Sequence, residues 1–411
     1  MQAAKPPYRS PLVKAWNAIA SAARRPVTLD ARALLVAAQR KQPDAPPPPA
    51  ATMDALGVLV EAIHSGRSAL HPFGRYYLEQ MFAGLLSNRM RLAKFWAEHP
   101  ETLADEVRQP VIVVGLPRCG TSYLFNLLAH DPEHRYLTNW ETTVSQIPPT
   151  PPPVTLRQDP RRRIGKLLMA FQRHLAPGLE SIHEFHLDGP EECTPLLMQG
   201  FDTQALAGMF DAPDYSHWLD HADHRATYQH HRRILLTLQR CYPAGRWLLK
   251  SPDHLAALEA LLETYPDACL IQLHRDPVQA VSSWASLNAA FRGIWSERID
   301  AAELGPQILE RLATDMDASI DARQRLPADR FLDLQYRDLI ADPLGQVERI
   351  HAHFGLDFAP STRARVESFL HGDRDKKRSH AYAPEHFGLS AERIRERFAR
   401  YIGHYGVAPA R

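Results

Sequence analysis

Cysteine is scarce in this chain. Its four residues, Cys119, Cys193, Cys241 and Cys269, are scattered over 411 positions with no C-x-x-C pair. That excludes a disulfide scaffold and a cysteine-built zinc centre, and it suits a reducing cytoplasm. Long apolar runs are missing as well. No stretch reaches the ~20 apolar residues of a membrane-spanning helix, and Met1-Gln2-Ala3-Ala4-Lys5-Pro6-Pro7 holds no apolar core of a secretion signal. The expectation is a soluble, cytoplasmic protein without a transmembrane segment. There is no excess charge of either sign: 48 basic against 47 acidic side chains leave +1. A general nucleic-acid partner is thereby excluded, and any anion site must be local. Histidine pairs at i,i+3 (His183 with His186, His221 with His224) have no evident cysteine or carboxylate companion set, so no metal site is expected.

What is present changes character along the chain. Apolar residues recur at helical spacing over 15–23, 30–40, 53–65, 76–86 and 89–98, with a proline-rich break at 43–49. From Val111 onward, short β-rich runs at 111–114, 246–249, 269–273 and 331–334 alternate with helical stretches. That alternation predicts an α/β fold: a three-layer, P-loop-type parallel sheet flanked by helices, over 109–411, preceded by a helical N-terminal segment over 1–108. A helix is expected over 217–239 with its histidines on the wet face, a proline-rich loop over 147–153, and a polar stretch over 183–197. Parallel strands deliver their C-terminal ends to one rim, so Gly115, Lys250 and Arg275 should share a crevice.

The first strand runs into Gly115-Leu116-Pro117-Arg118-Cys119-Gly120-Thr121-Ser122. This is the glycine spacing of a phosphate loop with one further absence: threonine stands where a nucleotide hydrolase needs lysine. Backbone N–H groups from Arg118 to Ser122, the hydroxyls of Thr121 and Ser122, and the positive end of the following helix can hold an anion. The alternative is a plain strand–helix turn. His274-Arg275-Asp276-Pro277 with Ser283 suits a second, separate phosphate, with Asp276 as N-cap and Pro277 as first helical residue. The H-R-D triplet is not a kinase catalytic loop, because position 281 is valine rather than asparagine. Lys250-Ser251-Pro252-Asp253-His254 places a lysine at a strand end, where it can stabilise charge developing on an oxygen. His254 is either a proton acceptor or a surface histidine. The run 135–140 reads as a short strand ending on the same rim, which makes Glu141 a candidate base; Glu191 and Glu192 are its rivals.

Taken together these motifs resemble the sulfotransferases that use PAPS (3′-phosphoadenosine 5′-phosphosulfate). The resemblance spans about 111–356, with four elements in the family's order. Gly115 to Ser122 is similar to the 5′-phosphosulfate loop, Arg275-Asp276-Pro277 with Ser283 to the 3′-phosphate motif, and Leu249-Lys250-Ser251-Pro252 to the strand with the catalytic lysine. Tyr336-Arg337-Asp338-Leu339-Ile340-Ala341-Asp342-Pro343 is similar to the family's tyrosine–acid–leucine segment. The loop resembles the tyrosylprotein and broad bacterial branches, and in the tyrosylprotein branch a glutamate after the first helix is the base. The resemblance therefore implies Glu141 as base, with Arg118 and Lys250 stabilising charge. It implies Arg118, Cys119, Gly120, Thr121, Ser122, Arg275 and Ser283 as the binding set for PAPS. In the cytosolic branch the base is a histidine two residues after the lysine; position 252 is proline, so His254 is at best a displaced analogue.

The reading is transfer of a sulfuryl group from PAPS to a hydroxyl of a small-molecule, lipid, sugar or peptide acceptor, without a metal. Two rivals stand: a P-loop small-molecule kinase using ATP, and a non-catalytic nucleotide-binding module. Phe73, Tyr76, Tyr77, Met81 and Phe82 either line an apolar acceptor pocket or are core packing.

Overall fold

The computed structural model describes residues 9–22, 29–150, 155–177, 186–243, 245–373 and 383–409; His183 and residues 151–153 of the proline-rich loop lie outside them. Among the described residues seven strands are formed: β1 (Val111–Gly115), β2 (His134–Arg135), β3 (Leu137–Thr138), β4 (Pro190–Glu191), β5 (Arg246–Lys250), β6 (Cys269–His274) and β7 (Phe331–Gln335). Five of them build one parallel sheet in the order β2-β5-β1-β6-β7. β1 sits at its centre and is buried along its whole length. Period-2 alternation sends Val111 and Val113 to one face and Ile112 and Val114 to the other. The first face packs on Leu124, Leu128 and Ile350, the second on Leu235, Leu258 and Leu261. Helices on both faces are what force the near-continuous apolar strands of a parallel sheet. Each main-sheet strand recognised in the sequence runs one residue further than its apolar run, so Gly115, Lys250, His274 and Gln335 are themselves the last ladder residues.

The run 135–140 is not one strand. β2 joins the main sheet beside β5, and β3 pairs antiparallel with β4, matching Leu137 to Glu191 and Thr138 to Pro190. The helix expected over 217–239 is two, Pro213–Leu219 and Arg225–Cys241. Its histidines are split: His217 and His221 are exposed, but His230 and His231 are buried. Burial in an apolar layer lowers both below the usual histidine range, His231 to about 3.

The N-terminal helices are Pro11–Ala22, Ala31–Lys41, Ala50–Ser65 and a single Pro72–Glu98, into which the two runs 76–86 and 89–98 merge. They share one core with later segments. Leu59, Leu78, Phe82 and Leu86 pack with Phe201, Phe210, Tyr215 and Trp295, and the Phe82 ring meets Phe201 and Phe210 edge-on. Among the described residues, no helix is long and apolar enough to cross a membrane.

Candidate active site

The loop between β1 and the helix Thr121–Leu128 carries its own mark of use. Arg118 has φ 68° and Gly120 φ 93°. The left-handed region is costly for an arginine, and such strain gathers where backbone must present N–H groups. At Gly120 there is a second reason for glycine: a Cβ would come within 2.5 Å of the Tyr336 ring. Gly120 is also the N-cap of the helix and gives it no side-chain cap, so first-turn N–H groups point into the loop. Cys119 contributes backbone only. Its N–H bonds to the Leu116 carbonyl at 3.3 Å, and burial pushes its thiol up to about 12.

The strand ends converge as the topology requires. Lys250, opposite Val113 in the ladder, donates from Nζ to Ser122 Oγ at 2.9 Å. Arg275, directly after β6, donates from Nη1 to the Arg118 carbonyl at 2.9 Å, and Arg118 Nε donates to Ser283 Oγ at 3.1 Å. Loop, arginine and serine thus form one connected set. Tyr336 completes it, with its ring 4.1 Å from the Arg275 guanidinium carbon while it also covers Gly120. Behind Arg275 stands the C-terminal region: the Tyr401 hydroxyl accepts from the Arg275 N–H at 3.2 Å, and Arg395 pairs with Asp276 at 3.0 Å. Tyr401 and Arg395 had no motif to announce them.

The two expected bases lie elsewhere. Glu141 is 0 % exposed. One carboxylate oxygen accepts from Arg135 at 2.5 Å; the other accepts from the Thr138 N–H and hydroxyl at 3.0 and 2.8 Å. It is the N3 residue of a capping box that starts the helix Asn139–Thr143. The expectation that it ends a strand on the rim is therefore corrected: the chain turns helical two residues earlier. His254 is also not at the crevice. It lies in the 3₁₀ turn Pro252–Ala257 and is fully buried, with Nδ1 at 2.8 Å from the Tyr228 hydroxyl. Burial holds it well below the usual histidine range, as a neutral core residue.

The carboxylate that does meet the lysine is Glu192, which forms an ion pair with Lys250 Nζ. Two local bonds put it there. The β3–β4 pairing fixes Glu191 toward Asn139, which donates to it at 2.8 Å, and the Cys193 N–H bonds to the Lys250 carbonyl at 2.8 Å. Neighbouring side chains on an extended segment face opposite ways, so Glu192 faces β5. The sequence offered Glu192 only as a lesser rival, because its partner strand is two residues long and fifty residues away. Among the described residues, no three histidine, cysteine, aspartate or glutamate side chains cluster as metal ligands.

A parallel sheet with a phosphate-type loop at its central strand, and cations from two neighbouring strand ends over that loop, defines a transferase of the P-loop type. The chain belongs to the sulfotransferase family: the family model described as "Sulfotransferase family" matches residues 110–360. Among solved structures it is similar to sulfotransferase STF1 from Mycobacterium tuberculosis H37Rv, at 30% identity and TM-score 0.79 over 92% of this chain and 100% of that one. It is also similar to STF9 from Mycobacterium avium, at 28% identity and TM-score 0.81 over 93% and 97%. A relative from Mycobacterium tuberculosis (strain CDC 1551 / Oshkosh), omega-hydroxy-beta-dihydromenaquinone-9 sulfotransferase Stf3, is 27% identical over 310 residues, 72% of this chain and 75% of that protein.

Proposed function

We propose that this sulfotransferase takes its sulfuryl group from PAPS and passes it, in the cytoplasm, to the hydroxyl of a lipid or other small-molecule acceptor. The observation that carries the reading is the contact set of Lys250: its ammonium joins a hydroxyl of the anion loop, Ser122, to a carboxylate, Glu192. A donor grip, a cation and a proton acceptor thus meet at one atom. The residues fit a donor with two separate anionic ends, because the strained loop and the Arg275–Ser283 pair are two anion sites linked through Arg118. When bound, PAPS supplies the transferable sulfuryl group. The loop N–H groups with Thr121 and Ser122 hold one anionic end, and Arg275 with Ser283 the other. Lys250 and Arg118 set positive charge beside the loop anion, where it acts in a largely desolvated site. Glu192 takes the proton of the acceptor hydroxyl. Glu141, which the resemblance indicates as base, could do so only by giving up its bonds to Arg135 and Thr138, all inside the protein; Glu192 already stands beside the lysine, with its side chain 20% exposed.

A lipid alcohol is favoured among acceptors by the relative whose name gives a hydroxylated menaquinone. The kinase reading loses ground at the strand ends. The five main-sheet strands finish at Gly115, Arg135, Lys250, His274 and Gln335, none of them the acidic residue that would hold magnesium. The test is a pair of measurements. Adenosine 3′,5′-bisphosphate at 100 times its Kd should stabilise the protein by about 2.7 kcal/mol, whereas ATP with magnesium should leave the melting temperature unchanged. Labelled sulfate should then move from PAPS to a long-chain alcohol. Stabilisation by ATP alone, without transfer from PAPS, would return the kinase to first place.

A further inference from the structure

The helix Arg161–Leu175 has three faces that do different things. Its inner face is fixed to the protein: Gly165 lies so close to Trp140 that a Cβ would come within 2.5 Å of the tryptophan Cβ, and the Arg161 guanidinium sits over the Trp140 ring at 5.0 Å. Its outer face carries Ile164, Leu167, Leu168 and Phe171 at i, i+3, i+4 and i+7, all exposed, Leu167 to 72%. Four large apolar side chains in one exposed stripe on an anchored helix are unusual for a soluble surface. The remaining face is basic. Arg163, Lys166, Arg173 and His174 are exposed, and the helix has no acidic residue, although the whole chain carries only +1. The stripe does not stop at the helix end. Phe171 stacks near Tyr77 at 6.4 Å, Tyr77 adjoins Phe73 at 6.0 Å, and Phe73 meets Trp16 at 6.3 Å. Trp16 belongs to a second helix whose exposed face carries Leu12 and Ile19 at the same spacing.

We infer that this strip is a docking surface for an anionic lipid bilayer, with the Arg161–Leu175 helix lying in the headgroup layer. Apolar residues on one side and only basic charges among the helix's own residues, with Asp188 paired to Arg162 at its edge, are the composition of a helix that lies on, and does not span, a membrane. The other candidate occupant, a second copy of this chain packed antiparallel across a two-fold axis, would bring the two basic faces to the same side of the contact. The strip also lies near the site: Trp140, on which the helix rests, is next to Asn139, which holds Glu191 beside Glu192. The inference goes beyond the transfer reaction, because vesicle binding needs neither donor nor acceptor; failure of one leaves the other standing. The full-length protein is sedimented with vesicles of phosphatidylcholine alone or mixed with phosphatidylglycerol. Expected is binding to the mixed vesicles that is released at about 1 M salt, where the Debye length falls to about 3 Å. Leu167→Glu with Phe171→Glu should lower binding about tenfold or more, and Arg163→Glu with Lys166→Glu should remove the preference for phosphatidylglycerol. All four side chains are exposed, so unchanged melting temperatures verify folding. No binding of the unaltered protein to mixed vesicles, or undiminished binding by the Leu167→Glu/Phe171→Glu protein, would overturn the inference. So would concentration-dependent self-association that this variant abolishes, which would assign the strip to a second copy.

Discussion

At the scale of single residues, the site turns on which carboxylate takes the proton. Glu192→Gln keeps the shape and removes the acceptor, so kcat should fall about 10²–10⁴-fold while donor affinity holds. Glu141→Gln should instead lower the melting temperature, since it weakens a buried ion pair and a capping box, with a smaller effect on kcat in the fraction that stays folded. Steady-state kinetics with matched melting curves separate the two, and the opposite pattern would restore Glu141. Arg275→Ala removes a charge-assisted contact worth about 1.5–3 kcal/mol. Calorimetric titration should show PAPS weakened at least tenfold and adenosine 5′-phosphosulfate, which lacks the 3′-phosphate, much less. Most of this set was legible because the loop, Lys250 and the Arg275–Ser283 pair are each written in one short stretch of chain. Glu192 was not, since its orientation depends on a two-residue ladder to β3. His254 was misjudged for a similar reason: Ser251 and Pro252 announce a helical turn but not which way its ring points.

At the scale of elements, the start of the helix Pro72–Glu98 is titratable. Its N-cap is His71, whose Nδ1 accepts from the Gly74 N–H at 2.9 Å while Nε2 donates to the Ile294 carbonyl at 3.0 Å. Only the neutral ring can do both. Burial, and secondarily the nearby Arg9 charge, lower it to about 4. The unfolded chain therefore takes up this proton near the ordinary value of about 6.5, before the folded chain does. The stability contributed by His71 is full above about pH 6.5 and is lost as pH falls toward 4. Urea midpoints should drop over that window, and His71→Asn, which keeps an N-cap acceptor without the titration, should make the drop smaller by the His71 share, with the buried His230, His231 and His254 supplying the rest. An equal drop in both proteins would remove His71 as its cause. Helices with clean apolar periodicity were legible, as were the four long strands. The break of 135–140 into β2, β3 and a helix was not, because strands of two residues leave no period to read.

At the scale of the molecule, the N-terminal helices share a core with segments that follow the first strand: Phe201, Phe210, Tyr215 and Trp295 pack with Leu59, Phe82 and Leu86. A chain lacking residues 1–108 would leave those four side chains facing water. It should fail to melt cooperatively in circular dichroism; a soluble fragment with a sharp transition would make the N-terminal segment an independent unit. The sequence marked where the composition changes, near Val111, but the shared core depends on pairs more than a hundred residues apart, which no local pattern records. The far end of the chain has a different bearing. Tyr401 and Arg395 hold Arg275 and Asp276 from behind, although β1, β5 and β6 all precede them. During synthesis the loop and Lys250 leave the ribosome long before that support exists. Chains released after residue 389 should therefore pass through a column of immobilised adenosine 3′,5′-bisphosphate that retains the full-length protein, and their retention would contradict this. On that expectation the order of translation would be a safety interval: a copy that stops before Tyr401 and Arg395 would compete for none of the cell's donor.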